Sequence, residues 1–141
     1  MHSEHLTNLH FGWVAGGWVL AAVVTGAVYM ALVGTGIAPV GDAAVLGLAP
    51  AMAVGFFVGG LVVGMRWCDA PILHGAAITF FSIVVWFLGT AALPGSLEVL
   101  GGPTPAVLGL VLLQLAAAVT GGWAGRRMTL GGDLKGPDPE S

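Results

Sequence analysis

Charged side chains cut this chain into long apolar stretches. No Asp, Glu, Lys or Arg falls between Glu4 and Asp42, between Asp42 and Arg66, between Asp69 and Glu98, or between Glu98 and Arg126. Each interval is longer than the ~20 apolar residues that cross ~30 Å of hydrocarbon as a helix. Apolar residues follow one another directly, as in Leu61-Val62-Val63 and Leu110-Val111-Leu112-Leu113, whereas barrel strands alternate apolar and polar positions. Lipid leaves backbone donors and acceptors unsatisfied, so the spans are helices. The pattern predicts an all-α, polytopic membrane protein: an up-down bundle of four transmembrane helices over about 11–33, 43–65, 72–93 and 105–123. Turn residues fall between them: Gly34-Thr35-Gly36 with Pro39 and Gly41, Asp69-Ala70-Pro71, Pro94-Gly95, and Gly101-Gly102-Pro103-Thr104-Pro105. The bundle is expected to occupy 1–128. The polar, Gly/Pro-rich stretch 129–141 reads as a disordered cytoplasmic tail. No Lys or Arg precedes the first apolar run, which is longer than a signal-peptide core and is expected to be retained.

Composition agrees with the pattern. Of 141 residues 57% are hydrophobic and 8% charged, with a mean hydropathy of +0.95, against roughly 25% charged in soluble domains. A net charge of −3 excludes a nucleic-acid partner, and a single cysteine excludes a disulfide framework. With four crossings, Arg66, Arg126, Arg127 and Lys135 share one side, while Asp42 and Glu98 lie on the other. The positive-inside rule then puts both termini in the cytoplasm, in the plasma (inner) membrane. Cys68 is expected to be cytoplasmic and reduced.

The two halves echo each other. Leu9-His10 opens the first helix and Leu73-His74 the third. The second helix ends in Gly60-Leu61-Val62-Val63-Gly64-Met65-Arg66, and the fourth in Gly121-Gly122-Trp123-Ala124-Gly125-Arg126-Arg127. Two-helix units keep their direction, so such halves form a parallel hairpin repeat about an axis along the membrane normal. Gly-rich helix ends and boundary arginines also recur independently of duplication, and both readings stay open. The Gly60–Arg66 ending followed by Leu73-His74-Gly75 resembles a group of small four-helix bacterial membrane proteins of unknown function. That resemblance covers about a third of the chain and implies the fold without an activity.

The chain has 24 glycines, more than twice the usual ~7%. Gly12/Gly16, Gly55/Gly59, Gly60/Gly64 and Gly121/Gly125 are each four residues apart. Residues at that spacing share a helix face, and without side chains they let a neighbouring backbone approach. All eight are expected at helix-packing faces, internal or with another subunit. The second helix, with two such stripes, is expected to be the packing centre.

Ionisable side chains at membrane depth mark ion-coupled transport, and these spans contain none. Small multidrug antiporters need a Glu in the first helix and fluoride channels use Asn in the pore; neither pattern is present. The most prominent buried polar group is Gln114, whose amide is expected to bond across to Ser82, Thr79 or Thr25. His10 and His74 fall at the cytosolic ends of the first and third helices, either as interfacial groups or as ligands to a haem or (bacterio)chlorophyll. His2 and His5 lack the further ligands a metal needs. Trp13, Trp67 and Trp123 suit an interfacial belt, while Trp18 and Trp86 sit deeper. No nucleophile–base pair, phosphate loop or carboxylate pair points to an enzyme. The expected function is a non-catalytic accessory or assembly subunit, surrounded by lipid and packed on other membrane subunits of a respiratory or photosynthetic complex, with a capacity to hold lipid or pigment. The alternative is a small homo-oligomeric channel or transporter with a polar path around Gln114.

Overall fold

A computed structural model describes residues 10–39, 44–66, 70–92 and 105–133. These form four helices: α1 (Phe11–Gly34), α2 (Ala44–Arg66), α3 (Pro71–Ala92) and α4 (Pro105–Asp133). No strand occurs among the described residues. All four helices are long and apolar enough to cross a membrane, so the chain is a multi-pass membrane protein built as a four-helix bundle. His2, His5, Asp42, Trp67, Cys68, Glu98 and the tail from residue 134 with Lys135 lie outside the described residues.

Helix ends follow local chemistry. Pro71 and Pro105 stand at the first positions of α3 and α4, where the missing N–H costs nothing. At the end of α1, Gly36 takes a positive φ of 73°, and the Ile37 and Ala38 N–H groups return to the Leu32 carbonyl, satisfying a carbonyl that the helix leaves open. The Thr35 hydroxyl also donates to the Ala31 carbonyl at 2.8 Å. The fourth helix corrects the expectation of a span ending at 123 and a disordered stretch from 129: α4 runs to Asp133. Nothing between Arg126 and Leu130 breaks a helix, and the Thr129 hydroxyl donates to the Met65 carbonyl of α2 at 3.2 Å. The helix therefore continues beyond its apolar part, braced by the end of α2.

Neighbour pairs fix the directions. Gly17 meets Val63, and Gly59 meets Gly17 and Ala21, so α1 and α2 are antiparallel. His10 meets His74, Gly17 meets Ile78 and Trp18 meets Phe81 edge-on at 5.5 Å and 72°, so α1 and α3 run the same way. Helix α2 packs most extensively on α4 and next on α1, and its apolar span is 39% buried against 17–22% in the others. Its two glycine stripes explain that centrality. Gly55 and Gly59 face α1, while Gly60 and Gly64, one residue round the helix, face α4. The core joins Val14, Ala21, Phe56, Val63, Ile78 and Ala118. Large apolar side chains such as Val23, Met30, Phe80, Phe87 and Leu112 are exposed on the outside of the bundle, where hydrocarbon surrounds them.

The α2–α4 contact is reciprocal. The place a Cβ would take at Gly60 is filled by the Ala118 carbonyl, and at Gly64 by the Gly122 carbonyl. Gly121 meets the Phe57 carbonyl in the same manner and Gly125 the Leu61 carbonyl. Each of these α2 positions has its counterpart sixty-one residues later in α4, so the pair obeys a local two-fold along the helix axes. The outer helices do not follow it, since α3 packs on both α2 and α4 while α1 packs on α2 and α3.

Gly60→Ala therefore forces a methyl group into a backbone carbonyl that no rotamer change can move, and should cost about 1–3 kcal/mol or more. Gly12→Ala, with nothing within 4 Å of the new atom, should be neutral or gain up to ~1 kcal/mol of helix propensity. Unfolding in mixed micelles followed by circular dichroism checks the contrast.

Candidate functional site

Among the described residues, the polar side chains buried in the bundle are His74, Thr79 and Gln114. His74 lies in the first turn of α3, where its backbone N–H donates to the Ala70 carbonyl at 3.1 Å. Its ring Nδ1 is 2.8 Å from the same oxygen. From the other side the backbone N–H of His10, the N-cap of α1, donates to Nε2 at 3.5 Å. These partners assign the hydrogen to Nδ1. The ring is 2% exposed and clasps the start of α3 to the start of α1. In this placement both ring nitrogens have partners within the chain. His10 is brought beside it but remains exposed at the bundle end.

The cationic residues gather at the same end. The Arg66 guanidinium lies 5.8 Å from the Trp13 ring centre, joining the end of α2 to the start of α1. Arg127 lies 3.8 Å from the Trp123 ring centre within α4, and Arg126 is half-buried beside it. Such cation–ring contacts contribute about 0.5–1 kcal/mol each when exposed. Among the described residues, no three His, Cys, Asp or Glu side chains gather as a metal site.

Gln114 sits in the other half of the bundle. It is 6% exposed, and its amide nitrogen reaches the Met52 sulfur of α2 at 3.9 Å, a weak acceptor. This corrects the expected bond to Ser82, Thr79 or Thr25. Thr79 donates to the Gly75 carbonyl of its own helix at 3.3 Å. The Thr25 hydroxyl is buried beside Gly55 without a hydrogen-bond partner. Ser82 shares a cavity with Gln114, about 280 Å³, walled by Met52, Ile83, Trp86 and Leu110. Helices α3 and α4 touch closely where Gly75 meets Ala118 and Val119, then leave this gap.

The glycines divide as well. Gly55, Gly59, Gly60, Gly64, Gly121 and Gly125 all pack against other helices, whereas Gly12 and Gly16 have nothing within 4 Å. Gly17 and Gly75 pack instead, though no matching glycine marks them in the sequence. Gly17 with Ala21 is a small pair at the same four-residue spacing, and that was the available signal.

These features define a membrane bundle with a polar, clasped end and a cavity between α2, α3 and α4. The chain matches no protein-family model, no curated protein and no solved structure.

Removing the His74 ring leaves the His10 N–H without its acceptor and opens a buried cavity. His74→Ala should lose about 2–4 kcal/mol. His10→Ala keeps the backbone donor and should lose clearly less. Thermal unfolding in detergent compares the two.

Proposed function

We propose that this chain is a non-catalytic accessory or assembly subunit of a larger membrane complex, respiratory or photosynthetic. It sits in the inner membrane with both termini cytoplasmic. The observation that carries this reading is the outer face of α1. Gly12, Gly16 and Gly26 share that face, with nothing within 4 Å of any of them. Val19 and Val23 on the same face are 52% and 63% exposed, and only 17% of the α1 span is buried. A smooth face of small residues lets another transmembrane backbone approach closely, as α2 and α4 already do inside the bundle.

Sidedness rests on charge. Arg66, Arg126 and Arg127 stand at the end where α1 and α3 begin, and positive residues favour the cytoplasmic side. A homo-oligomeric channel is the second reading, with Gln114 lining its path. Apolar walls around that amide, Ile83, Trp86 and Leu110 among them, favour a dry cavity over a water path.

Solubilising native membranes gently and separating complexes on native gels tests the proposal. Wild-type chain should migrate with larger membrane subunits in fixed stoichiometry. Gly12→Leu with Gly16→Leu, at positions where an added Cβ meets nothing within 4 Å, should fold normally yet run free of them. Unchanged migration of the double variant, or a lone wild-type homo-oligomer that carries flux in liposomes, contradicts it.

A further inference from the structure

We propose that the cavity between α2, α3 and α4 binds the ring of an uncharged, lipid-dissolved, carbonyl-bearing molecule of the quinone class. The inference stands apart from the accessory-subunit reading, because every residue it uses belongs to this chain.

Four observations select the ligand. Access is from hydrocarbon: the wall residues Ile83 and Trp86 are 38% and 48% exposed on the bundle surface, so the cavity communicates sideways with lipid. Gln114 follows the start of its apolar span at Val107 by two helical turns, about 10 Å, which is deeper than a phospholipid headgroup lies. The lining has no charged residue, and a charged ligand at that depth would go uncompensated. Size fits a substituted ring, since an apolar cavity of about 150 Å³ accepts benzene and this one measures about 280 Å³.

Polar chemistry then narrows the class. The Gln114 amide is nine-tenths buried and, among the described residues, donates to a thioether at 3.9 Å. A carbonyl oxygen is a far better acceptor than sulfur, so a ligand carbonyl improves on the resident contact. The Ser82 hydroxyl of α3 lines the same cavity and supplies a second donor for a ligand carbonyl. Trp86 and the aliphatic walls offer flat, apolar surfaces to the ring faces.

Binding of menadione (2-methyl-1,4-naphthoquinone) to the full chain in phosphatidylcholine nanodiscs tests this, read as quenching of tryptophan fluorescence. The expected result is a saturable component that Trp86→Phe largely removes, about tenfold weaker in Gln114→Leu and about threefold weaker in Ser82→Ala. 2-Methylnaphthalene, alike in shape but without carbonyls, should give no saturable competition. Quenching that rises linearly without saturation overturns the proposal, as does an affinity unchanged by Gln114→Leu. Equal competition by 2-methylnaphthalene also overturns it, in favour of a hydrocarbon pocket. If Gln114→Leu does not fold, the Ser82→Ala and methylnaphthalene arms decide by the same criteria.

Discussion

Contact between the backbones of α2 and α4 is the interaction on which the bundle rests. In hydrocarbon, neighbouring helices gain nothing from expelling water, so attraction comes from dispersion and weak polar contacts at short range. Glycine hydrogens at Gly60, Gly64, Gly121 and Gly125 point at carbonyl oxygens of the facing helix. Each Cα–H···O contact of this kind contributes about 0.5–1 kcal/mol, and together they hold the helices close enough for the remaining atoms to touch. A side chain at any of the four positions separates the pair along its length. Central placement of α2 follows, because it alone carries a second stripe, Gly55 and Gly59, toward α1.

What lies above and below this zipper follows from where the glycines stop. Toward the cationic end the close approach continues, and the bundle is finished by polar fastenings: His74 to the His10 N–H, Thr129 to the Met65 carbonyl, and Arg66 over Trp13. Toward the other end, one turn before Ala118, Gln114 brings a bulky amide where a small residue would be needed. Met52 faces it across the gap. Side chains now hold the helices apart, and the cavity walled by Ser82 and Trp86 is the space they leave. The same chemistry that tightens one half of the bundle accounts for the opening in the other.

Much of this was legible in the sequence because lipid imposes few choices. Uninterrupted apolar runs between charges specified four helices, and the observed α1, α2 and α3 depart from the expected bounds by only a residue or so. Paired four-residue glycine spacing marked both faces of α2. The end of α4 is not legible in the same way, because Arg126 and Arg127 mark the end of the apolar region, whereas a helix ends only where its backbone does. Gly12 and Gly16 have the same local spacing as the packed pairs, and spacing does not say which way a face turns; rotation of α1 places Gly17 and Ala21 inward instead. The partners of Gln114 and His74 depended on inter-helix register, which hydropathy does not encode. A thioether and a backbone N–H are also partners that a search for polar side chains passes over.

The most direct test of the central claim is an interatomic distance across α2 and α4 in a bilayer. Solid-state NMR on chain labelled with ¹³C at the Gly60 Cα and the Ala118 carbonyl carbon reports it without altering a residue. The account predicts a separation below about 5 Å, as a Cα–H···O contact requires. A separation beyond about 8 Å, the ordinary spacing of helix axes held apart by side chains, would contradict it.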